Sequence, residues 1–276
     1  MLWDSISRVI VLDAGDAWQV VLQPDHGDLA GQLAEAWGND HFATSAHRSS
    51  LALAATRHDD GWAVWERWPQ LDGDEGKPMQ FLDVHIRSHL AFYAAAITDI
   101  TDQDPYAGLM VAMHGAGLYR ERYGTQPGLR NRWADLYRDE IEAFVASVET
   151  TYPARVAELG IDEDERWASY KLLQVYDRLA LYFSGLFAVT MGDVQEVAPT
   201  PLDYNGAETT LRIEPLSNFA PYSPTHVRIA PFPFAEAPAR FTLERRLLPK
   251  RNWTPGEFRA AFRSAPVERL ELLVEA

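Results

Sequence analysis

The sequence predicts a mainly helical α+β protein: a helical body over about residues 23–190, closed by a small antiparallel β-sheet made from an N-terminal hairpin and C-terminal strands. Two observations lead there. Apolar residues recur at helical spacing through the middle of the chain, and short alternating segments occupy residues 1–22 and 199–276. With 276 residues and an apolar share of 47%, the chain can bury one substantial core, and it reads as a single domain, 1–276.

Val9–Leu12 and Trp18–Leu22 read as two strands joined at Ala14-Gly15-Asp16. Pro24 suits a first helical turn, and Leu29, Leu33, Ala36 and Trp37 recur until Gly38-Asn39. An apolar helix is expected at Ser49–His58, then a long loop from Asp59 through Pro78. Helices follow at Phe81–Ile97 and at Pro105–Tyr119, the latter opened by the Asp104 cap and Pro105. Leu129–Val148 reads as an amphipathic outer helix, with a short continuation from Pro153 toward Gly160. Asp162–Val189 is the longest helix, acidic in its first turn and apolar in its second half. Thr210–Ile213, His226–Ile229, Phe241–Glu244 and Leu270–Leu273 alternate as strands, with a short helix from Thr254 before the last.

Composition excludes several classes. The chain has no cysteine, so disulfides, thiolate nucleophiles and cysteine zinc sites are absent, and any transition metal must rest on imidazole and carboxylate. The net charge of −15 opposes a nucleic-acid-gripping role. No apolar run reaches the roughly 18 residues of a membrane helix, and charges interrupt Met1–Asp16, so a soluble, cytoplasmic protein is expected. P-loop, dinucleotide-binding and G-x-S-x-G signatures are missing.

The chemistry concentrates in Arg57-His58-Asp59-Asp60-Gly61-Trp62. Adjacent side chains on a helix diverge by about 100°, so His58 and Asp59 can meet one metal only at a helical junction, with ligands from other helices. His26 lies in a first helical turn. His114 follows Leu109, Met110, Val111 and Met113 in an apolar helix. Asp177 shares a face with Leu173, Ala180 and Ser184, and burying it unpaired would cost several kcal/mol. It must be protonated, paired with a base such as Arg57, or bound to a metal. A hydrogen-bonded core histidine is the plain alternative for each histidine taken alone. His85 and His89 stand at i, i+4, a spacing that metal sites use and that a solvated helix start also explains. Arg57, Trp62, His89 and Arg178 are candidate substrate contacts. Trp62, Trp65 and Trp68 suit either a pocket wall or the packing of a long loop.

Gln23-Pro24-Asp25-His26, the Leu29–Ala34 stretch, His58-Asp59-Asp60-Gly61-Trp62, Asp104-Pro105-Tyr106 before His114, and Pro231–Phe234 together resemble an uncharacterised bacterial family of unknown function, over nearly the whole chain. The order His, His-Asp, His, Asp is also similar to the HD superfamily of metal-dependent phosphohydrolases. That resemblance implies an HD-like helical body with His26, His58, Asp59 and Asp177 as ligands of a first metal. His114 would then stand behind those ligands, bind a second metal or contact substrate. The superfamily usually carries two further histidines before the last Asp; here His114 is well placed and His85 or His89 would have to join it.

The expected function is a metal-dependent hydrolase of a small phosphorylated or nucleotide-like molecule, using one or two ions of Mn, Fe, Co, Ni or Zn. Asp60 and His114 are the candidate proton-handling residues. The alternatives are a non-catalytic metal- or ligand-binding regulatory protein and a purely structural site. No nucleic-acid or membrane partner is expected, and a homo-oligomer is left open.

Overall fold

The computed structural model describes residues 10–72, 76–125, 131, 133–186, 192–217 and 225–276. Strands β1 (Ile10–Ala14) and β2 (Ala17–Val21) form the N-terminal hairpin, turning at Gly15. Helix α1 (Gln23–Ala36) follows, with Pro24 in its first turn, then α2 (Arg48–Arg57). The loop expected from Asp59 through Pro78 opens with two short helical turns, Asp60–Trp62 and α3 (Ala63–Glu66), and the described residues beyond them up to Pro78 form no helix.

The helix expected from Phe81 is divided. A 3-10 turn at Phe81–Asp83 is capped by Gln80, and α4 (Ile86–Gln103) starts only after the extended residues Val84 and His85. Helix α5 (Pro105–Gly117) is capped by the Asp104 carboxylate and is buried from Tyr106 through Gly117. Helices α6 (Arg138–Glu149) and α7 (Tyr152–Leu159) run along the outside. Helix α8 (Glu163–Ser184) begins at the Asp162 cap and ends at Gly185, whose φ of +83° suits glycine. Leu129, and Phe187 through Val189 at the far end of the long-helix expectation, lie outside the described residues.

The remaining elements are β3 (Gln195–Pro201), β4 (Glu208–Pro215), β5 (His226–Ala230), β6 (Ala239–Pro249), α9 (Pro255–Ser264) and β7 (Glu268–Glu275). They join the hairpin in one seven-stranded sheet of order β1-β2-β6-β7-β5-β4-β3. All neighbours are antiparallel except β5 and β7.

This corrects the expected fold class. The protein is 51% helix and 22% strand, and the sheet is mixed and curls into a half-barrel; it is not a mainly helical, HD-like body carrying a small antiparallel sheet. The difference has a local cause. Strand β3 contains Pro199 and Pro201 and a register shift between Val197 and Thr200, so its alternation is hidden in the sequence. Strand β6 extends eleven residues, well beyond the alternating Phe241–Glu244.

Helix α8 fills the centre, packed against α1, α2, α5 and β3, while α1 rests on α2, α8 and β6. Gly27 makes the first of these contacts close: a Cβ there would lie 2.3 Å from the Thr56 carbonyl oxygen. That approach brings the first turn of α1 against the last turn of α2, where the chemistry lies.

Candidate metal centre

Four separate segments deliver the central side chains. His26 comes from the first turn of α1, His58 and Asp59 from the end of α2, His114 from the last turn of α5 and Asp177 from α8. All five are buried, His26 and His58 completely. His26 Nε2 lies 3.1 Å from Asp177 Oδ1. His58 Nε2 lies 3.3 Å from Asp59 Oδ2 and 3.6 Å from Asp177 Oδ1, in neither case with hydrogen-bond geometry. His114 Nε2 is 3.9 Å from Asp59 Oδ1.

The tautomer of His58 follows from its other nitrogen. Nδ1 sits 2.7 Å from the Ala55 carbonyl, which can only accept, so Nδ1 carries a hydrogen. A neutral His58 therefore turns a bare lone pair toward two carboxylate oxygens. Three electron-rich atoms facing one another need a cation between them, either a proton on Nε2 or a metal ion. Ligand atoms held about 2.1 Å from one cation stand roughly 3.0–3.4 Å apart; the separations of 3.1 Å for His26–Asp177 and 3.3 Å for His58–Asp59 fall in that range, and 3.6 Å for His58–Asp177 lies just above it. Among the described residues, two triads have ligand atoms mutually within 4.8 Å, His26–His58–Asp59 and His58–His114–Asp177. These buried groups could hold a metal ion.

The electrostatics agree with the geometry. Burial opposes ionisation of Asp177, but the Arg122 guanidinium, the hydrogen bond to His26 and the nearby His58 outweigh it and hold the carboxyl well below its usual range. Burial likewise opposes charge on Asp59, and His58 overcomes it, keeping Asp59 ionised. On His58 burial opposes protonation, yet Asp59 and Asp177 raise its pKa well above 6.5. Burial, then the charge on His58, holds His114 down to about 3. Without a metal, the proton thus belongs to His58.

Several contributors lie outside the expected site residues. Arg122 Nη1 donates to Asp177 Oδ2 at 2.6 Å and to Gln174 Oε1 at 2.7 Å. Its backbone lies in a left-handed turn in which Glu121, Arg122 and Tyr123 all have φ near +50°, a conformation that nothing in these residue types announces. Gln174 stands one helical turn before Asp177, so helical spacing could have found it. Tyr93 donates its hydroxyl to Asp59 Oδ1 at 2.7 Å.

The other expected site residues are placed as follows. His89 is buried, shares a hydrogen bond with the Tyr119 hydroxyl and meets Trp62 edge-on. Trp62 is buried behind it, tilted against Phe92. His85 caps α4 and bonds the Tyr137 hydroxyl, so it does not converge with His89 on one atom. Arg57 and Asp60 pair with each other at the surface, and Arg57 also bonds Asp99 and Gln103. Arg178 is half-buried.

A family model described as a protein of unknown function, DUF3891, matches residues 9–250. The chain belongs to the DUF3891 family. No curated protein and no solved structure matches it. What a member of this family can do chemically must therefore be read from its site. In this DUF3891 chain, a cavity of about 770 Å³ opens beside the cluster. Asp59, His89, Tyr93, His114, Arg122 and Asp177 line its floor, Phe81, Leu118, Tyr119, Ile141 and Leu181 contribute its apolar walls, and the exposed Glu121, Asp135 and Arg138 stand at its mouth. Arg57, Asp60, Trp62 and Arg178 are not among the described residues that line it. The site thus joins a cation-demanding cluster to a chamber large enough for a small organic molecule. No helix among the described residues is long and apolar enough to cross a membrane.

Proposed function

We propose that this protein is a metal-dependent hydrolase, acting on a small phosphorylated or nucleotide-like molecule in the cytoplasm. The observation that carries the reading is the His58 imidazole, whose Nδ1–H is tied to Ala55 so that Nε2 faces Asp59 and Asp177. Fixing one imidazole nitrogen through a backbone carbonyl is how metal-binding histidines are commonly oriented. His26, His58, Asp59 and Asp177 would hold a Mn, Fe, Co, Ni or Zn ion.

Such an ion supplies Lewis acidity, lowering the pKa of a water and polarising a phosphoryl oxygen. The protein's own part is positional. Tyr93 holds Asp59 by one oxygen, Arg122 holds Asp177 by one oxygen, and each carboxylate keeps its other oxygen for the cation. The ring of His114 borders the cavity and is placed to hydrogen-bond an oxygen of a molecule bound there. The phosphoryl preference rests on the His, His-Asp, Asp ligand order, which is similar to that of the HD phosphohydrolases; the fold is not part of that similarity.

The test is elemental analysis by plasma mass spectrometry of chelator-stripped, reconstituted protein, followed by a screen of phosphorylated metabolites. About one equivalent of transition metal is expected in the native chain, with none in the His58→Ala and Asp59→Ala variants. Full metal content in Asp59→Ala would overturn the ligand assignment. Stoichiometric metal with no turnover of any phosphate ester would move the reading to a metal-dependent binding protein.

A further inference from the structure

We infer that Gln174, clamped by Arg122, sets the tautomer of His114 and makes it a hydrogen-bond donor to the cavity rather than a metal ligand. The argument is one of donors and acceptors. A guanidinium has only donors. Arg122 Nη1 meets Asp177 Oδ2 and Gln174 Oε1 at hydrogen-bond distance, so the carboxamide of Gln174 has one allowed orientation; turned over, its NH2 would face the guanidinium. In the allowed orientation Gln174 Nε2 lies 3.2 Å from His114 Nδ1 and donates to it. His114 Nδ1 is consequently unprotonated.

The same contact excludes an imidazolium, because a hydrogen on Nδ1 would face the hydrogens of the Gln174 amide. His114 is neutral and carries its one hydrogen on Nε2. That nitrogen has no lone pair to offer a cation. Geometry alone permits the triad His58–His114–Asp177, but hydrogen accounting removes His114 from it as a ligand. Nε2–H points toward Asp59 Oδ1 across 3.9 Å, too far for a direct hydrogen bond, beside a carboxylate oxygen already held by Tyr93. An oxygen of a molecule bound in the cavity that both residues line can accept from Nε2–H. On the hydrolase reading, on which this one step rests, that oxygen belongs to the leaving group.

The backbone supports a dedicated role for the clamp. Glu121, Arg122 and Tyr123 are three successive non-glycine residues in the left-handed region, which L side chains disfavour. They deliver the Arg122 side chain, 4% exposed, between Asp177 and Gln174. Gln174 is a positioning residue, acting through His114.

The experiment is long-range 1H–15N correlation spectroscopy of the histidine rings in the full-length chain, metal-free and zinc-loaded, with His114→Gln to assign the signals. His114 in the native chain is expected as the Nε2–H tautomer in both states. A native His114 protonated at Nδ1, or shifted by zinc as a directly bound nitrogen, overturns the inference. Gln174→Glu places an acceptor against Nδ1 and should move a hydrogen onto it. With substrate in hand, kcat of that variant should fall about a hundredfold, the loss of one hydrogen-bond donor to the reacting oxygen, while metal content is kept. An unchanged tautomer in a folded Gln174→Glu variant also overturns the inference. The tautomer is read without turnover, so an inactive or metal-free native protein would sink the hydrolase reading and leave this result standing or falling separately.

Discussion

Replacing Asp177 with alanine should destabilise the metal-free protein by about 3–5 kcal/mol, because it strands Arg122. The guanidinium is 4% exposed, its Nη1 bonds Asp177 at 2.6 Å, and its Nε has no partner among the described residues. Charge centres roughly 4 Å apart at an effective dielectric of about 20 attract by about 4 kcal/mol, which agrees with that range. Removal of both partners should be far milder, since Arg122→Met in the Asp177→Ala background eliminates the stranded charge. The assay is urea unfolding of the native chain, both single variants and the double variant, in chelator at one pH. The double variant should recover at least about 2 kcal/mol relative to the sum of the singles. Additive costs, or a loss below about 1 kcal/mol in Asp177→Ala, would refute the buried pair. The cycle also decides how metal uptake should be tested: a variant that loses both metal and stability is ambiguous, so Asp59→Ala is the cleaner probe.

Three further outcomes are expected. Metal binding must displace the proton that Asp59 and Asp177, against the opposition of burial, hold on His58, so affinity should rise about tenfold per pH unit below its raised pKa. Calorimetry in buffers of different ionisation enthalpy should report about one proton released, and a pH-independent affinity would contradict the assignment. Burial lifts Asp25 from 3.8 to about 6, so the folded chain binds more protons than the unfolded one between those values and stability falls as pH rises through that window. The gap is worth at most about 3 kcal/mol, and partial exposure reduces it to about 1. Asp25→Asn should therefore raise the urea midpoint at pH 7.5 and not below pH 4; an equal effect at both pH values would count against this. Gly27→Ala sets a Cβ against the Thr56 carbonyl and should cost about 1–3 kcal/mol while weakening metal binding, because α1 carries His26. An unchanged melting temperature would show that the two helices do not need this approach.

The helices were legible where a cap and an apolar stripe coincide. Asp104-Pro105 marks the start of α5, Asp162 the start of α8 and Thr254-Pro255 the start of α9, where the Thr254 and Glu257 side chains complete a reciprocal cap. Those signals are local, and local signals survive in one dimension. The sheet was legible only in fragments because its pairing is not local. Strand β2 joins β6 some 230 residues away, β5 and β7 run parallel with β6 and α9 between them in the chain, and β3 conceals its alternation behind two prolines. The break at Val84 and His85 was missed for a related reason: Gln80 and His85 cap turns with side chains that are not the usual capping types.

For the site, the useful signal was electrostatic cost. A carboxylate in the apolar half of α8 and a histidine in the most buried helix demand partners, whatever the fold, and that demand singled out Asp177 and His114. It did not say which partners. Arg57 and Arg178 are chain neighbours of the proposed ligands, yet consecutive helical positions point about 100° apart, and Arg57 turns outward to Asp60, Asp99 and Gln103. The base that neutralises Asp177 is Arg122, 55 residues earlier, in a backbone conformation that no residue type there favours. Burial of a charge is written into the residues around it, whereas the identity of its counter-charge depends on where the backbone travels. Gln174 lies between these cases: it shares a helix face with Asp177, but its use becomes visible only when Arg122 fixes which end of the amide faces His114.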